Sequence, residues 1–254
     1  MASLAARGGG PTDGGRGSAS LPFASLVFEQ RARPRPERDS QLELGRGAGS
    51  VVYAATLRGE PVAVKTVPAH ALSPAEVAAF WREADTQCRL SSDFVVQCEG
   101  AAVDVDESCT LEELALVLAR MPGGTLEAWC ASAAGRAAPR SVRLRKLLDV
   151  ALGLRYMHSR DVVHADVKPS NVLLDDAGRA RLTGLGFRRG AAVRSSLRGA
   201  RGTPLYTDPA LRAPEGSCVC AASDVYALAV LAWEVLAGAL PFAITAERCP
   251  ECCL

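Results

Sequence analysis

The sequence lacks any uninterrupted apolar run of the length, about 18 to 20 residues, that a helix needs to cross a bilayer. We therefore expect no membrane-spanning helix. It also lacks an excess of charge of either sign, because 29 lysines and arginines stand against 28 aspartates and glutamates, for a formal net charge of +1. That balance argues against nucleic acids and membrane surfaces as partners, since both are bound through clustered positive charge.

The N-terminus has no apolar segment of the kind that forms the core of a secretory signal. We therefore expect a cytoplasmic protein. The early residues carry arginines and few acids, so an organelle transit peptide remains an alternative. Nine cysteines stand at irregular spacings, which favours reduced, partly buried thiols for most of them.

Residues 1–38 are rich in glycine, alanine, arginine, proline and serine, and they show neither helical nor strand periodicity. This composition predicts a disordered tail, because it offers too little apolar surface to fold. The remaining residues, 39–254, belong to a chain that is 48% hydrophobic. That fraction is enough to bury the core of one large domain or of two lobes.

Residues 39–120 are predicted to be rich in strands. The stretches QLELGRGAGSVVYAATL and PVAVKTV flank the turn RGE. In the second stretch, alternation places Val62 and Val64 on one face of the strand and Ala63 and Lys65 on the other.

The same part of the chain contains one helix with a clear beginning. Ser73 can cap it, Pro74 suits its first turn, and Glu76 completes a capping box. The helix then runs through FWREADTQCRL and carries a second acid, Glu83.

Residues 121–254 are predicted to be mainly helical. Six apolar residues recur at helical spacing in the first long helix: Leu144, Leu147, Leu148, Ala151, Leu154 and Met157. The later stretch SDVYALAVLAWEVLAGAL is apolar nearly all round, which is typical of a helix buried in the middle of a lobe. A β-rich part followed by a helical part indicates an α+β architecture of two lobes.

A glycine-rich turn and a strand lysine are the first candidates for a phosphate site. Gly45 and Gly47 follow a strand-like segment, and glycines let backbone N–H groups approach a polyphosphate. Lys65 could reach the phosphate oxygens, although a lone strand lysine usually faces solvent. Glu83 could hold this lysine as an ion pair. Glu76 is the rival acid, but its capping role already explains it.

The segment HADVKPSN carries the residue types of phosphoryl transfer at a specific spacing. Asp166 can accept a proton from an attacking hydroxyl, and Lys168 can neutralise the transferred phosphoryl group. Asn171 can offer an oxygen to a metal ion. His164 is better interpreted as a packing residue than as a catalyst.

Together these motifs resemble the eukaryotic protein kinase family, over roughly Leu42 to Phe242. The segment GTPLY and the helix from Ser223 are equally typical of the family. The pair Lys168-Pro169, together with Thr203, resembles the serine/threonine class. The resemblance implies a bilobal fold with an N-lobe over 39–120, a C-lobe over 121–254, and ATP bound between them.

The resemblance also assigns roles within that cleft. Lys65, Glu83, Asp166 and Lys168 would be the catalytic residues, and Asn171 a metal ligand. The linker Ala119 to Met121 would bind the adenine edge, beside a gatekeeper at Leu118, and Asp224 would brace the catalytic loop, residues 164–171. The residues around the nucleotide would be Leu44, Gly45, Gly47, Val52, Ala63, Lys65, Ala119, Met121 and Leu173.

The chain departs from the family at its metal site. The Asp-Phe-Gly motif falls on Gly184, Leu185 and Gly186, so glycine replaces the carboxylate that holds Mg²⁺. Mg²⁺ binding is therefore expected to be weakened or absent. Asp175 and Asp176 lie in a hairpin turn and are predicted to be turn formers rather than substitute ligands.

Other departures concern control and stability. Ala165 replaces the arginine that pairs with a phosphorylated activation loop, so regulation through Ser195 or Ser196 is not expected. Gln87 stands where the family packs an apolar residue between the lobes. Ala210 replaces the glutamate of Ala-Pro-Glu, and we expect the C-lobe to be incomplete, truncated after its central buried helix.

The predicted function is a protein serine/threonine kinase that uses ATP and phosphorylates a protein hydroxyl. The alternative is a pseudokinase, a binding or scaffolding module with little or no turnover, because Gly184 lacks the metal-binding carboxylate. A small-molecule phosphotransferase of related fold is a weaker alternative, against which Lys168-Pro169 and GTPLY argue.

Overall fold

A computed structural model describes residues 20–22, 26–28, 42–47, 49–105, 111–184, 204–212 and 219–239 of the chain. These residues form a β-rich N-lobe and a mainly helical C-lobe, so the predicted α+β bilobal fold is confirmed. No helix within the described ranges has the length and apolar character that crossing a membrane requires.

In the described part of the chain, the N-lobe is a seven-stranded sheet with the strand order β1-β6-β7-β5-β4-β2, and β3 also pairs with β4. All pairings are antiparallel except that of β1 with β6. The strands are β1 (Ser20–Pro22), β2 (Leu26–Phe28), β3 (Glu43–Gly47), β4 (Ser50–Leu57), β5 (Glu60–Pro68), β6 (Cys98–Val105) and β7 (Leu111–Ala119).

The first two strands lie in the segment 1–38 that we predicted to be disordered. Strand β1 pairs with β6 and strand β2 pairs with β4. The structure therefore differs from the prediction at these six residues. Three-residue strands carry no periodicity of their own, and they obtain their hydrogen bonds from an existing sheet edge. The other residues of 1–38 lie outside the described ranges.

The strand and helix that carry Lys65 and Glu83 form as predicted. Val62 and Val64 are buried, whereas Ala63 and Lys65 lie on the other face of β5. Helix α1 (Pro74–Cys88) begins with the capping box: the backbone N–H of Ser73 donates to Glu76 Oε2 at 2.7 Å, and the backbone N–H of Glu76 donates to Ser73 Oγ at 3.4 Å.

The C-lobe has four helices in its described part, α2 (Leu126–Ala131), α3 (Ala133–Ala137), α4 (Arg140–His158) and α5 (Ala221–Ala237). A two-stranded sheet of β8 (Val172–Leu174) and β9 (Ala180–Leu182) lies against α4. Helices α4 and α5 pack on each other and on this small sheet to make the lobe's core.

Neither long helix of the C-lobe is buried on every side, and for α5 this contradicts the expectation. On α4, Leu147, Leu154 and Met157 are buried, but Leu144 and Leu148 are 46% and 52% exposed. Helix α5, expected to be buried all round, exposes 57% of Val225 and 49% of Trp233. The buried face of α5 is the one that meets α4. The sequence pattern therefore predicted both helices, but it did not predict which of their faces are buried.

Backbone hydrogen bonds join the two lobes where the segment before β6 meets β9. The N–H of Leu182 donates to Phe94 O and that of Val96 donates to Leu182 O, both at 2.8 Å. Within the C-lobe, the N–H of Gly123 donates to Leu174 O at 2.9 Å. A Cβ at position 123 would lie 2.7 Å from the Cβ of Leu174, so this close approach requires glycine.

The structure corrects the expectation of reduced cysteines at one pair. Cys88, at the end of α1, and Cys98, at the start of β6, are joined as a disulfide, with their Cα atoms 4.8 Å apart. Among the cysteines that the structure describes, Cys130 and Cys220 are free. Irregular spacing could not reveal this pair, because sequence spacing does not report the distance between α1 and β6.

Candidate active site

The glycine-rich turn joins β3 and β4 at the edge of the cleft. A Cβ at Gly45 would meet no atom within 4 Å, and one at Gly47 would meet Ser50 Oγ at 3.1 Å. Gly49 has a φ of +81°, a backbone conformation that disfavours other residues. Gly45 is paired with Val52, which in turn is paired with Lys65, so the turn lies on the strands that carry the lysine.

Lys65 lies between two acids from different elements. Its burial lowers the pKa of its ammonium group, and the charges of Glu83 on α1 and Asp166 in the C-lobe raise that pKa again. Both acids are therefore close enough to Lys65 for their charges to act on its ammonium group. Glu76 is engaged in the capping box at the N-terminus of α1, and the choice of Glu83 as the partner of Lys65 stays a prediction.

The carboxylate of Asp166 is held by two neighbours. Lys168 Nζ lies 2.9 Å from Asp166 Oδ2, and Asn171 Nδ2 donates to the same oxygen at 2.8 Å. The Asn171 amide also donates to the backbone oxygen of Asp166 at 2.8 Å. The Asp166 side chain is 45% exposed, so a substrate group can still approach it.

Asp224 lies beneath this loop, at the N-terminal end of α5. Its Oδ1 accepts the backbone N–H of Ala165 and its Oδ2 that of His164, each at 2.8 Å. The expectation that Asp224 braces the catalytic loop agrees with this geometry. Sequence reasoning missed His158, whose Nε2 also lies 2.8 Å from Asp224 Oδ2. The signal was its place at the end of α4, close to the catalytic loop.

His164 is a buried packing residue, as predicted. Its Nε2–H donates to Thr183 O at 2.9 Å, and its Nδ1 accepts the backbone N–H of Asp166 at 3.3 Å. Burial lowers the pKa of the His164 imidazole, while Asp224 and the Thr183 carbonyl raise it to a lesser extent. Through these two hydrogen bonds, the neutral ring of His164 connects the catalytic loop with Thr183, the residue before Gly184.

Lowering the pH below about 6.5 is expected to reduce the free energy of unfolding. The folded pKa of His164 lies below its unfolded value, so the unfolded chain binds the proton first. The contribution of His164 is complete above the unfolded pKa and is lost as the pH falls, by at most about 1.4 kcal/mol per pH unit. Urea denaturation between pH 7 and pH 5 measures this slope. His164→Gln should flatten it and His70→Gln, at an exposed histidine, should not; an unchanged slope in His164→Gln contradicts the assignment.

The residues expected around adenine are contributed by both lobes. Ala63 pairs with Leu118 across β5 and β7. Met121 and Leu173 pack against the N-lobe cluster that contains Leu118, so side chains of the two lobes meet at this point. Leu44, which is 44% exposed, lies on β3 beside the glycine-rich turn.

The linker expected to bind the adenine edge begins where β7 ends. The backbone N–H of Ala119 donates to Gln97 O at 2.9 Å. Met121 O accepts the N–H of Gly124 at 3.3 Å as the chain turns towards the C-lobe.

The expected metal ligands do not make a strong site for Mg²⁺. Gly184 has a φ of +74°, and a Cβ there would lie 2.7 Å from Asn171 Oδ1. The side chain of Asn171 therefore lies against the backbone where a carboxylate would begin. Mg²⁺ needs several hard oxygen ligands in an octahedral arrangement. Within the described ranges, no group of three or more His, Cys, Asp or Glu residues could hold a metal ion.

Asp175 is a turn residue, as predicted. Its Oδ1 accepts the backbone N–H of Arg179 at 2.8 Å, and its Oδ2 accepts the Arg181 guanidinium at 3.2 Å. Asp176 accepts the backbone N–H of Ala177 at 3.0 Å. Neither carboxylate compensates for Gly184. Leu185 and Gly186 lie outside the described residues, as do Ser195, Ser196 and Thr203.

The segment from Tyr206 to Ala210 lacks the glutamate of Ala-Pro-Glu, and it contacts a different acid. Tyr206 donates its hydroxyl to the carboxylate of Glu234 on α5. Burial and Glu234 both raise the pKa of Tyr206 above its ordinary value. Asp208 accepts the backbone N–H of Ala210 at 2.9 Å, so Ala210 lies in a local turn.

Gln87 is buried, with 2% of its surface exposed. Its Nε2 has no hydrogen-bond partner in the part of the chain that the structure describes. An unsatisfied buried amide costs about 1 to 3 kcal/mol. A polar residue at this position is expected to loosen the closed arrangement of the lobes unless it finds a partner, and that expectation stays a prediction.

Replacing Gln87 with leucine, which has a similar volume, is expected to raise the free energy of unfolding by about 1 to 3 kcal/mol. Urea denaturation followed by circular dichroism measures the change. Gln97→Leu is the matched control, because the Gln97 Nε2 donates to Cys98 O at 3.0 Å. That variant should lose stability, and equal effects of the two variants would contradict the explanation.

Known proteins match most of the chain. Residues 39–250 match the family Protein kinase domain. The chain is 34% identical over 209 residues to Receptor-interacting serine/threonine-protein kinase 3 of Homo sapiens, covering 80% of this chain and 38% of that protein. It is 30% identical over 217 residues to Calmodulin-binding receptor-like cytoplasmic kinase 3 of Arabidopsis thaliana, covering 82% and 40%.

A third relative, CBL-interacting protein kinase 4 of Oryza sativa subsp. japonica, is 34% identical over 212 residues, covering 78% of this chain and 44% of that protein. The chain spans about two fifths of the length of these three relatives. The family match covers most of the chain, and it confirms the resemblance that the motifs indicated. This chain is therefore a member of the protein kinase domain family.

Proposed function

We propose that this chain is a serine/threonine protein kinase domain that binds ATP between its lobes and transfers the γ-phosphoryl group to a hydroxyl of a protein substrate. The observation that carries the proposal is the convergence on Asp166. Lys168 and Asn171 contact its carboxylate, and its charge reaches Lys65 across the cleft. The serine/threonine preference is supported by Lys168-Pro169 and by the name of one of the relatives, Receptor-interacting serine/threonine-protein kinase 3.

The proposed reaction joins the substrate hydroxyl oxygen to the γ-phosphorus and breaks the bond from that phosphorus to the oxygen that leaves with ADP. Asp166 accepts the hydroxyl proton, because its carboxylate is half exposed and is oriented by Asn171. Lys168 neutralises charge on the transferred group. Lys65 holds the phosphates, and Glu83 keeps the charge of that lysine in place.

The proposed nucleotide site uses the cleft described above. Leu44, Val52 and Ala63 cover the adenine, and Leu173 supports it from below. The linker from Ala119 to Met121 binds its edge. Gly45 and Gly47 cover the phosphates, since neither position has a side chain that would keep a phosphate away from the backbone.

Metal has a reduced part in this proposal. Asn171 is the residue that would contribute an oxygen to Mg²⁺, and Gly184 contributes none. We therefore assign no step to the metal. The same observation favours the second candidate function, a pseudokinase that binds nucleotide with little or no turnover, because Lewis-acid stabilisation by Mg²⁺ is worth several kcal/mol in phosphoryl transfer.

The remaining parts of the proposal concern partners and location. A protein that presents a serine or threonine is the proposed substrate, and neither a nucleic acid nor a membrane is a proposed partner. The near-zero net charge supports the exclusion of a nucleic acid and of a membrane surface. We propose that the protein acts in the cytoplasm.

Nucleotide binding and transfer can be separated through position 184. In the parent chain, ATP is expected to raise Tm by nearly the same amount in Mg²⁺ and in EDTA. Gly184→Asp should make the Tm shift depend on Mg²⁺ and raise the rate of γ-phosphoryl transfer at least about tenfold, since it restores a metal carboxylate. The gain is limited because the new side chain must displace Asn171 and adopt a positive φ.

Two variants control this experiment. Gly184→Ala adds the same Cβ without a carboxylate, so it should gain no Mg²⁺ dependence. Lys65→Met should lose the ATP-induced Tm shift. If millimolar ATP fails to shift the parent Tm, the proposed nucleotide site is wrong. If Gly184→Asp leaves a measurable transfer rate unchanged, the missing carboxylate is not what limits the reaction.

A further inference from the structure

The disulfide between Cys88 and Cys98 connects the helix of Glu83 to the sheet of Lys65. Cys88 is the last residue of α1, and Cys98 is the first residue of β6. Cys98 pairs with Leu118 on β7, and Leu118 pairs with Ala63 on β5, two residues before Lys65. The bond therefore fastens the C-terminal end of α1 directly behind the cleft.

Gln87, the residue before Cys88, adds a free-energy cost to the observed position of α1. Gln87 precedes Cys88 and is buried with an amide nitrogen that no described residue satisfies. A helix with such a group gains by moving so that water can reach the amide. A covalent bond at Cys88 opposes that movement.

The surroundings of Cys88 and Cys98 can also accommodate the two cysteines as reduced thiols. The sulfur of Cys98 lies 3.6 Å from the backbone oxygen of Gly100, so a thiol there has an acceptor for its S–H. The Cα separation of 4.8 Å lies within the ordinary range for a disulfide. Cys88 and Cys98 are 9% and 4% exposed, so only a small oxidant reaches them readily.

We propose that Cys88 and Cys98 form a redox-responsive modification site that sets the position of α1. When the disulfide is present, α1 is held with Glu83 facing Lys65. When it is reduced, the end of α1 is released and the buried amide of Gln87 drives the helix away. Nucleotide binding is then weaker in the reduced chain, and this part of the inference rests on the proposed function.

Hydrogen peroxide is the class of oxidant that fits the burial. One thiolate attacks a peroxide oxygen and becomes a sulfenic acid, and the O–O bond breaks to release water once protonated. The second thiol attacks the sulfenic sulfur and expels a second water. The two sulfurs lose two electrons and two protons in total, and the peroxide is reduced to two waters. A dithiol reverses the step by exchange and is itself oxidised to a disulfide.

The experiment compares the full chain after treatment with hydrogen peroxide and after treatment with dithiothreitol. Peptide mapping after alkylation identifies the linked cysteines, hydrogen–deuterium exchange of 74–88 reports on α1 without any nucleotide, and titration with a fluorescent ADP analogue gives Kd. The oxidised chain should contain the 88–98 link, exchange more slowly in α1, and bind at least about fivefold more tightly.

Variants distinguish the effect of the 88–98 disulfide from a general effect of oxidation. Cys88→Ser should behave as the reduced chain under both treatments, and Cys130→Ser, at a free cysteine on α2, should behave as the parent. Gln87→Leu should bring the redox effect on Kd below about twofold, because it removes the force that moves α1. Cys98→Ser and the reduced parent supply the same comparison if Cys88→Ser does not fold.

The outcomes are distinguishable. Absence of the 88–98 link after peroxide treatment overturns the inference, and so does equal exchange of α1 in the two states. If ADP binds neither the oxidised nor the reduced chain but the exchange of α1 still differs between them, the redox control of α1 is supported and the proposed function is wrong. If ADP binds equally in both states while α1 exchange differs, the claimed effect on the nucleotide site is wrong.

Discussion

Asp166→Asn is expected to reduce γ-phosphoryl transfer at least about 100-fold, which is the low end of the contribution of a positioned general base. Asparagine keeps the size of the side chain but cannot take the proton of the attacking hydroxyl. Nucleotide binding should stay within about twofold of the parent, because Lys65 and Glu83 are untouched. Transfer of labelled phosphate to a protein acceptor and ADP titration measure the two quantities.

Asp176→Asn is the matched control for this prediction. Asp176 is an exposed acid in the hairpin after β8, and its carboxylate contacts only the local turn in the described part of the chain. It should therefore leave the transfer rate unchanged. If Asp166→Asn retains the parent rate, Asp166 is not the base; if the parent shows no transfer but binds ATP, the pseudokinase alternative is supported.

Asp224→Ala is expected to lower the free energy of unfolding by about 3 to 5 kcal/mol, the usual cost of breaking a buried charged network. The substitution removes the acceptor for the backbone N–H groups of His164 and Ala165 and the partner of His158. A domain has about 5 to 15 kcal/mol of stability in all, so the loss is a large fraction of the total. Ala165 has a φ of +66°, and it would lose the bond that holds this strained conformation.

Urea denaturation at pH 7.5 measures the loss, with circular dichroism as the signal. Asp224→Asn is the comparison, because it retains one carbonyl oxygen for a backbone N–H but loses the charge. Its loss should be smaller than that of alanine. A loss below about 1 kcal/mol for Asp224→Ala would show that the catalytic loop does not depend on this carboxylate.

The parts of the site that could be predicted from the sequence are those held by local geometry. Asp166, Lys168 and Asn171 lie within one short loop, so their spacing is enough to bring them into contact. The capping box of α1 depends on residues three apart. The alternation of β5 also follows from a two-residue repeat, which separates Lys65 from the buried valines.

The parts that could not be predicted depend on which distant elements meet. The spacing of leucines on α4 cannot tell which of them α5 and the small sheet cover, and Leu148 is exposed for that reason. The contact of Asn171 with the backbone of Gly184 arises only when β9 lies beside the catalytic loop. His158 reaches Asp224 because α4 ends beside the beginning of α5.

The backbone link between the lobes also bears on how they can move. It joins Phe94 and Val96 to Leu182. A rotation of the N-lobe that preserves these hydrogen bonds pivots about them, so residues beside the link are displaced least. Strand β6 begins two residues after Val96, so the start of that strand stays near the pivot while more distant strands of the N-lobe move further.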